Sequence, residues 1–208
     1  SLMGLFYLLT LYSAMRAMQS HKPLLWSIAS VICCGLGMGT KEVMVTAPLM
    51  VLLYDRMFAA GTFISALRRR FLYAGLTGTW AILAGLMWAC SHSKAVGFSI
   101  GIGPLDYAMN QCVVILHYIR LSVWPAGLCL DYSWPVTKEL GRLLPFAAVI
   151  LVLGVAIIWG LIRNQAWSYP AAWFFVVLSP TSSFVPIVDL AFEHRVYLSL
   201  AGLVVLVM

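Results

Sequence analysis

The chain has 208 residues, 62% of them hydrophobic and 10% charged, with a mean hydropathy of +0.95. A soluble domain is about 45–50% apolar and about 25% charged, so a water-soluble globule is excluded and an integral membrane protein is implied. The formal net charge of +6 is no nucleic-acid signature, because the basic residues are scattered between apolar runs; no nucleic-acid partner is expected.

A spanning helix needs about 20 apolar residues. In chain order, residues 1–16 form a first expected span, 23–40 a second, and 43–57 a third that is short and holds Pro48. The stretch "DRMFAAGTFISALRRR" then reads as a loop, with Arg68, Arg69 and Arg70 as an anchor on the cytosolic side. Residues 71–90 form a fourth span, 143–162 a clear further one, 167–180 another that Pro180 interrupts, and 196–208 the start of a last. The expected fold is therefore an all-α polytopic bundle of about seven spans, one transmembrane domain over 1–208. Both ends lie inside apolar runs, which reads as a fragment cut from a longer protein.

The mixed segment 91–142 resists this parsing. Within it, 107–124 either spans or lies flat in the membrane interface. Asn110, His117 and Arg120 fall at i, i+7 and i+10, close to one helical face, and Tyr118 and Trp124 are aromatics favoured at headgroup depth. We favour the interfacial reading. One membrane face then carries seven Lys and Arg (Arg16, Lys22, Arg56, Arg68, Arg69, Arg70, Arg163) and the other six (Lys41, Lys94, Arg120, Lys138, Arg142, Arg195), too small a contrast to fix orientation. A spanning 107–124 would strengthen that bias, so charge counting opposes our preference.

Four polar stretches interrupt the apolar pattern. In "GLGMGTKE" the glycines suit close helix packing, and Lys41-Glu42 is either an interfacial turn or a charged pair facing an aqueous cavity. In "WPAGLCLDYSWP", Asp131 and Tyr132 sit among aromatics, as either an interfacial loop or the wall of a sugar site, where aromatic faces pack on sugar rings and a carboxylate accepts from hydroxyls. "SHSK" is a weak signal and reads most simply as a polar loop. In "EHRVYLS", Glu193, His194 and Tyr197 would share a face if helical, with Arg195 beside them. An arginine at a helix start suits a phosphate, being planar, always charged and able to hold two oxygens. The alternative is a snorkelling interfacial cluster. Cysteines at 33, 34, 90, 112 and 129 form no CxxC, and the four histidines no HExxH, so neither a structural zinc nor another metal site is expected.

"SLMGLFYLLTLYSAMRA", "GTKEVMVTAPLMVLLYDR", "YIRLSVWPAGLCLDYSWP" and "FEHRVYLSLAG", in this order, resemble the membrane part of bacterial tetratricopeptide-tailed proteins related to the transmembrane-and-tetratricopeptide O-mannosyltransferases. The resemblance implies a GT-C fold in a bacterial inner membrane. It implies a glycosyltransferase that moves a sugar from a polyprenyl-phosphate carrier to a hydroxyl of a protein or glycan acceptor on the periplasmic face. The lipid-linked sugar phosphate is the donor, and no cofactor is called for. It further implies that the family's catalytic carboxylate lies upstream of Ser1 and its repeats downstream of Met208. Lys41, Glu42, Arg120, Asp131, Tyr132, Glu193, His194, Arg195 and Tyr197 would then bind substrate, with Arg195 on the leaving phosphate. Two other classes stand beside this one: a non-catalytic anchor for a repeat domain, and a transporter of a polar or lipid-linked substrate.

Overall fold

The computed structural model describes residues 1–89, 103–125, 140–182 and 195–208, and all regular structure among them is helical. The chain divides into two compact units, Ser1–His92 and Ser93–Met208.

The first unit contains α1 (Leu2–Gln19), α2 (Pro23–Met38), α3 (Ala47–Tyr54), the short α4 (Phe63–Leu67) and α5 (Arg70–Ala89). A 3₁₀ turn, Glu42–Thr46, leads into α3 and a π-helical turn, Asp55–Ala60, continues it, so Glu42–Ala60 forms one helical rod of 19 residues. Side-chain contacts fix the directions. Ser30 Oγ donates to Thr10 O at 2.9 Å, and the Tyr12 and Trp26 rings meet edge-on, so α1 and α2 are antiparallel. Tyr7 Oη and Thr46 Oγ1 are 3.0 Å apart, which sets α3 parallel to α1. Cys34 Sγ lies 3.3 Å from Thr79 Oγ1, while Val31 meets Gly75 and Gly35 meets Ile82, so α2 and α5 run parallel. Trp80 Nε1 donates to Val45 O, closing an up-down-up-down arrangement.

Small residues permit this closeness. A Cβ on Gly75 would stand 2.5 Å from Val31 Cγ2, and one on Gly37 would collide with Met44. The reading of the "GLGMG" glycines as packing residues thus agrees with where Gly35 and Gly37 sit, against α5 and Met44 respectively.

The second unit holds α6 (Pro104–Val123), α7 (Leu140–Ile162), α8 (Ser168–Leu178) and α9 (Leu200–Val207). Its core joins Tyr107, Val114, Ile115 and Tyr118 of α6 to Phe174 and Leu178 of α8. Those α6 positions fall at i, i+7, i+8 and i+11, as one buried helical face requires. Gly202 lets α9 press on α8, since a Cβ there would stand 2.5 Å from Pro170 O.

Among the described residues, three helical rods are long and apolar enough to cross a membrane: Glu42–Ala60, Arg70–Ala89 and Leu143–Ile162. α2 and α8 are shorter apolar helices. Although α6 has 20 residues, it is not among the three. Leu143–Ile162 is apolar on every side yet exposes Leu151, Val152, Val155, Ile158 and Ile162. In water such a rod would be a large unsatisfied apolar surface, whereas hydrocarbon solvates it.

Candidate functional site

Lys41 and Glu42 occupy the short link between α2 and the 3₁₀ turn, and both are exposed. Lys41 is extended (φ −159°, ψ 148°), while Val43 and Met44, immediately after the pair, are buried. This local pattern lifts the two charged side chains off the bundle end while anchoring their backbone. Among the described residues neither joins an ion pair.

Arg120, Arg195 and Tyr197 belong to the second unit. Arg120 is exposed in the last turn of α6, where a cation suits the negative end of the helix dipole. It does not share a side with Asn110 as the sequence spacing suggested: Asn110 is buried, with Nδ2 donating to Asp106 O at 2.8 Å, and His117 is half-buried. Arg195 is partly buried, and its guanidinium donates a long 3.4 Å bond to Thr181 O just past the end of α8. Tyr197 is exposed. Asp131, Tyr132, Glu193 and His194 lie outside the described residues.

The helical reading of "EHRVYLS" is corrected over its described part. Arg195 is in a 3₁₀ conformation, 196–199 are turns, and α9 begins at Leu200 rather than at 196. The cause lies in two competing bonds. Trp173 Nε1 on α8 donates to Leu198 O at 2.9 Å, the carbonyl a continuous helix would offer to Gly202 N–H. Gly202 N–H instead donates to Ser199 O at 3.0 Å. Arg195 and Tyr197 therefore present themselves from a turn latched to α8, with the guanidinium over the carbonyl-rich end of that helix.

The stretch read as a plain cytosolic loop is also different. Asp55 is fully buried, and Arg69 and Tyr73 close on it: Arg69 pairs with Asp55 Oδ1, and Tyr73 Oη donates to Oδ2 at 2.7 Å. Each carboxylate oxygen thus has a donor, which is the condition for keeping a charge out of water. Spacing gave a partial signal: Arg69 and Tyr73 are i, i+4 on one helical side, but nothing in the sequence points Asp55 inward. The three-arginine run is accordingly unequal. Arg69 turns in, while Arg68 and Arg70 are exposed.

On α7 a groove of about 260 Å³ is lined by Ala148, Val149, Val152 and Leu153. It offers no polar group to a sugar or phosphate, so it suits acyl chains rather than chemistry. Among the described residues no cluster of His, Cys, Asp or Glu has the form of a metal site. Comparison with protein-family models, curated proteins and solved structures finds no match for this chain.

Proposed function

We propose that this chain is the membrane region of a GT-C-type glycosyltransferase, a bundle of about seven spans that moves a sugar from a polyprenyl-phosphate carrier to a hydroxyl acceptor on the non-cytoplasmic face. The observation that carries the reading is the charge distribution along the first unit. The helix directions place Arg16, Lys22, Arg56, Arg68, Arg69 and Arg70 toward one end of the bundle, and Lys41 by itself at the other. Six cations against one is the asymmetry by which membrane proteins orient, with the basic end in the cytoplasm. The whole-chain count could not supply this, because it mixed in segments of uncertain side. Lys41-Glu42 then faces the periplasm, the side where polyprenyl-linked sugars are consumed in enzymes of this class.

In this reading Arg195 offers fixed positive charge, in a two-oxygen grip, to the phosphate that departs as the sugar is transferred. Lys41 and Glu42, on the first unit, are separate substrate-binding candidates. Asp131, Tyr132, Glu193 and Tyr197 are the proposed sugar-binding residues, with His194 assisting Arg195 on the phosphate and Arg120 a further substrate contact.

The test is transfer of radiolabelled sugar from a polyprenyl-phosphate donor by the full-length protein in sealed vesicles of known orientation. Label should reach acceptor presented on the Lys41 side, and Arg195→Ala should reduce turnover at least tenfold. Unchanged turnover in that variant would leave Arg195 as a latch on α8 with no part in transfer, and absence of transfer by the parent protein would favour the non-catalytic anchor.

A further inference from the structure

The basic end of the first unit has a built surface that the transferase reading does not use. Residues 1–92 contain two carboxylates, Glu42 at the opposite end and Asp55. Asp55 is buried and its charge is consumed by Arg69. Arg16, Lys22, Arg68 and Arg70 therefore stand at this end with no carboxylate of their own unit to balance them, and Arg56 adds a further cation.

Apolar side chains are interleaved with these cations. Ile64 and Phe71 are 79% and 74% exposed, and Phe63 and Leu67 are exposed as well. Phe63, Ile64 and Leu67 fall at i, i+1 and i+4 of α4, one side of that helix, while Ala66 on the other side is buried. Arg56 lies over the Phe63 ring at 4.5 Å and Arg70 over Phe71 at 5.7 Å, so cation and aromatic are presented together. The segment is held in this form. Gly61 takes a left-handed φ of +72° to end the π-helical turn, Thr62 Oγ1 caps α4 by accepting from Ser65 N–H at 3.3 Å, and the Asp55–Arg69 pair ties its two ends.

We propose that residues 55–71 form a docking surface for anionic phospholipid of the cytoplasmic leaflet, such as phosphatidylglycerol. Arg56, Arg68 and Arg70 take the headgroup phosphates, and Phe63, Ile64, Leu67 and Phe71 lie among the upper acyl segments. Charge complementarity selects this occupant. A zwitterionic leaflet offers no net charge to this cluster of cations, and a soluble protein partner would not match a surface continuous with the membrane-crossing α5. Burying Asp55 is what makes the surface uniformly positive: the same carboxylate in solvent would repel headgroup phosphate.

The experiment is native mass spectrometry of the full-length protein in detergent, titrated with phosphatidylglycerol and with phosphatidylcholine of the same acyl chains. Phosphatidylglycerol should bind more tightly. Removing one arginine near an anionic headgroup weakens attraction about fivefold, so R68Q/R70Q should lose about 25-fold in phosphatidylglycerol affinity. The same variant should bind phosphatidylcholine unchanged, and R68K/R70K should keep most of the preference. Equal binding of the two lipids by the parent protein, or an R68Q/R70Q variant that keeps full phosphatidylglycerol affinity, overturns the proposal. Complete displacement of the lipid by millimolar inorganic phosphate also overturns it, since that marks a small-anion site.

Discussion

Arg69→Met is the most informative single perturbation of the fold. Asp55 is fully buried, whereas the Arg69 side chain is 33% exposed. Removing the arginine strands a carboxylate that cannot reach water and keeps one donor, Tyr73 Oη. Breaking a buried pair in this way costs about 3–5 kcal/mol. Removing the carboxylate instead leaves a cation already near the surface, which can turn outward to headgroups. Asp55→Asn also keeps an oxygen able to accept from Tyr73, so its cost should be about 1–2 kcal/mol, the scale of one weakened hydrogen bond. The double variant should lie well above Arg69→Met in stability, because it contains no stranded charge. The assay is thermal unfolding of purified protein in detergent, followed by size-exclusion recovery after heating. The predicted order is parent, then Asp55→Asn, then the double variant, then Arg69→Met. A loss for Asp55→Asn as large as for Arg69→Met would refute the reasoning, because the cost would then belong to the bond and not to the stranded charge.

Three further outcomes follow from the packing and topology. Gly75→Val should destabilise by about 1–3 kcal/mol through overpacking on Val31, and Val31→Ala in the same chain should recover part of the lost thermal stability. Trp173→Phe removes the donor to Leu198 O and should cost about 1–3 kcal/mol, read by the same unfolding assay. In a protein freed of its other cysteines, with Cys34 replaced by Ser to keep the contact with Thr79, Lys41→Cys should react with impermeant maleimide from the periplasm. Arg68→Cys should react only after the cytoplasmic side is opened, and labelling of both from one side would contradict the orientation.

Legibility in the sequence followed the physics of each signal. Long apolar runs were readable because hydrocarbon length sets them: the span expected over 143–162 is the rod Leu143–Ile162, and 71–90 is α5 shifted by one residue. The third span was read as ending at 57, but it continues to Ala60 through the π-helical turn, because Arg69 and Tyr73 satisfy the charge of Asp55 inside the bundle. No local pattern announces a neutralising partner fourteen residues away. The same limit applies to "EHRVYLS". Helical spacing was a fair local guess, but Trp173 claims a carbonyl the helix would need. On α6, the spacing of Asn110 and Arg120 suggested a shared face, yet Asn110 is turned into the core and Arg120 out of it. For Lys41-Glu42 the sequence left an interfacial turn and a pair facing a cavity open, and both side chains are exposed in the link between α2 and the 3₁₀ turn.

The proposed function turns on a lipid-linked phosphate being engaged by Arg195. The direct measurement is photocrosslinking of the full-length protein with a diazirine-bearing polyprenyl phosphate, followed by peptide mapping. Adducts should fall on the peptide containing Arg195, and should be lost when unlabelled polyprenyl phosphate competes. Adducts confined to residues 55–71, or spread along the lipid-facing side of α7 and insensitive to competition, would contradict it.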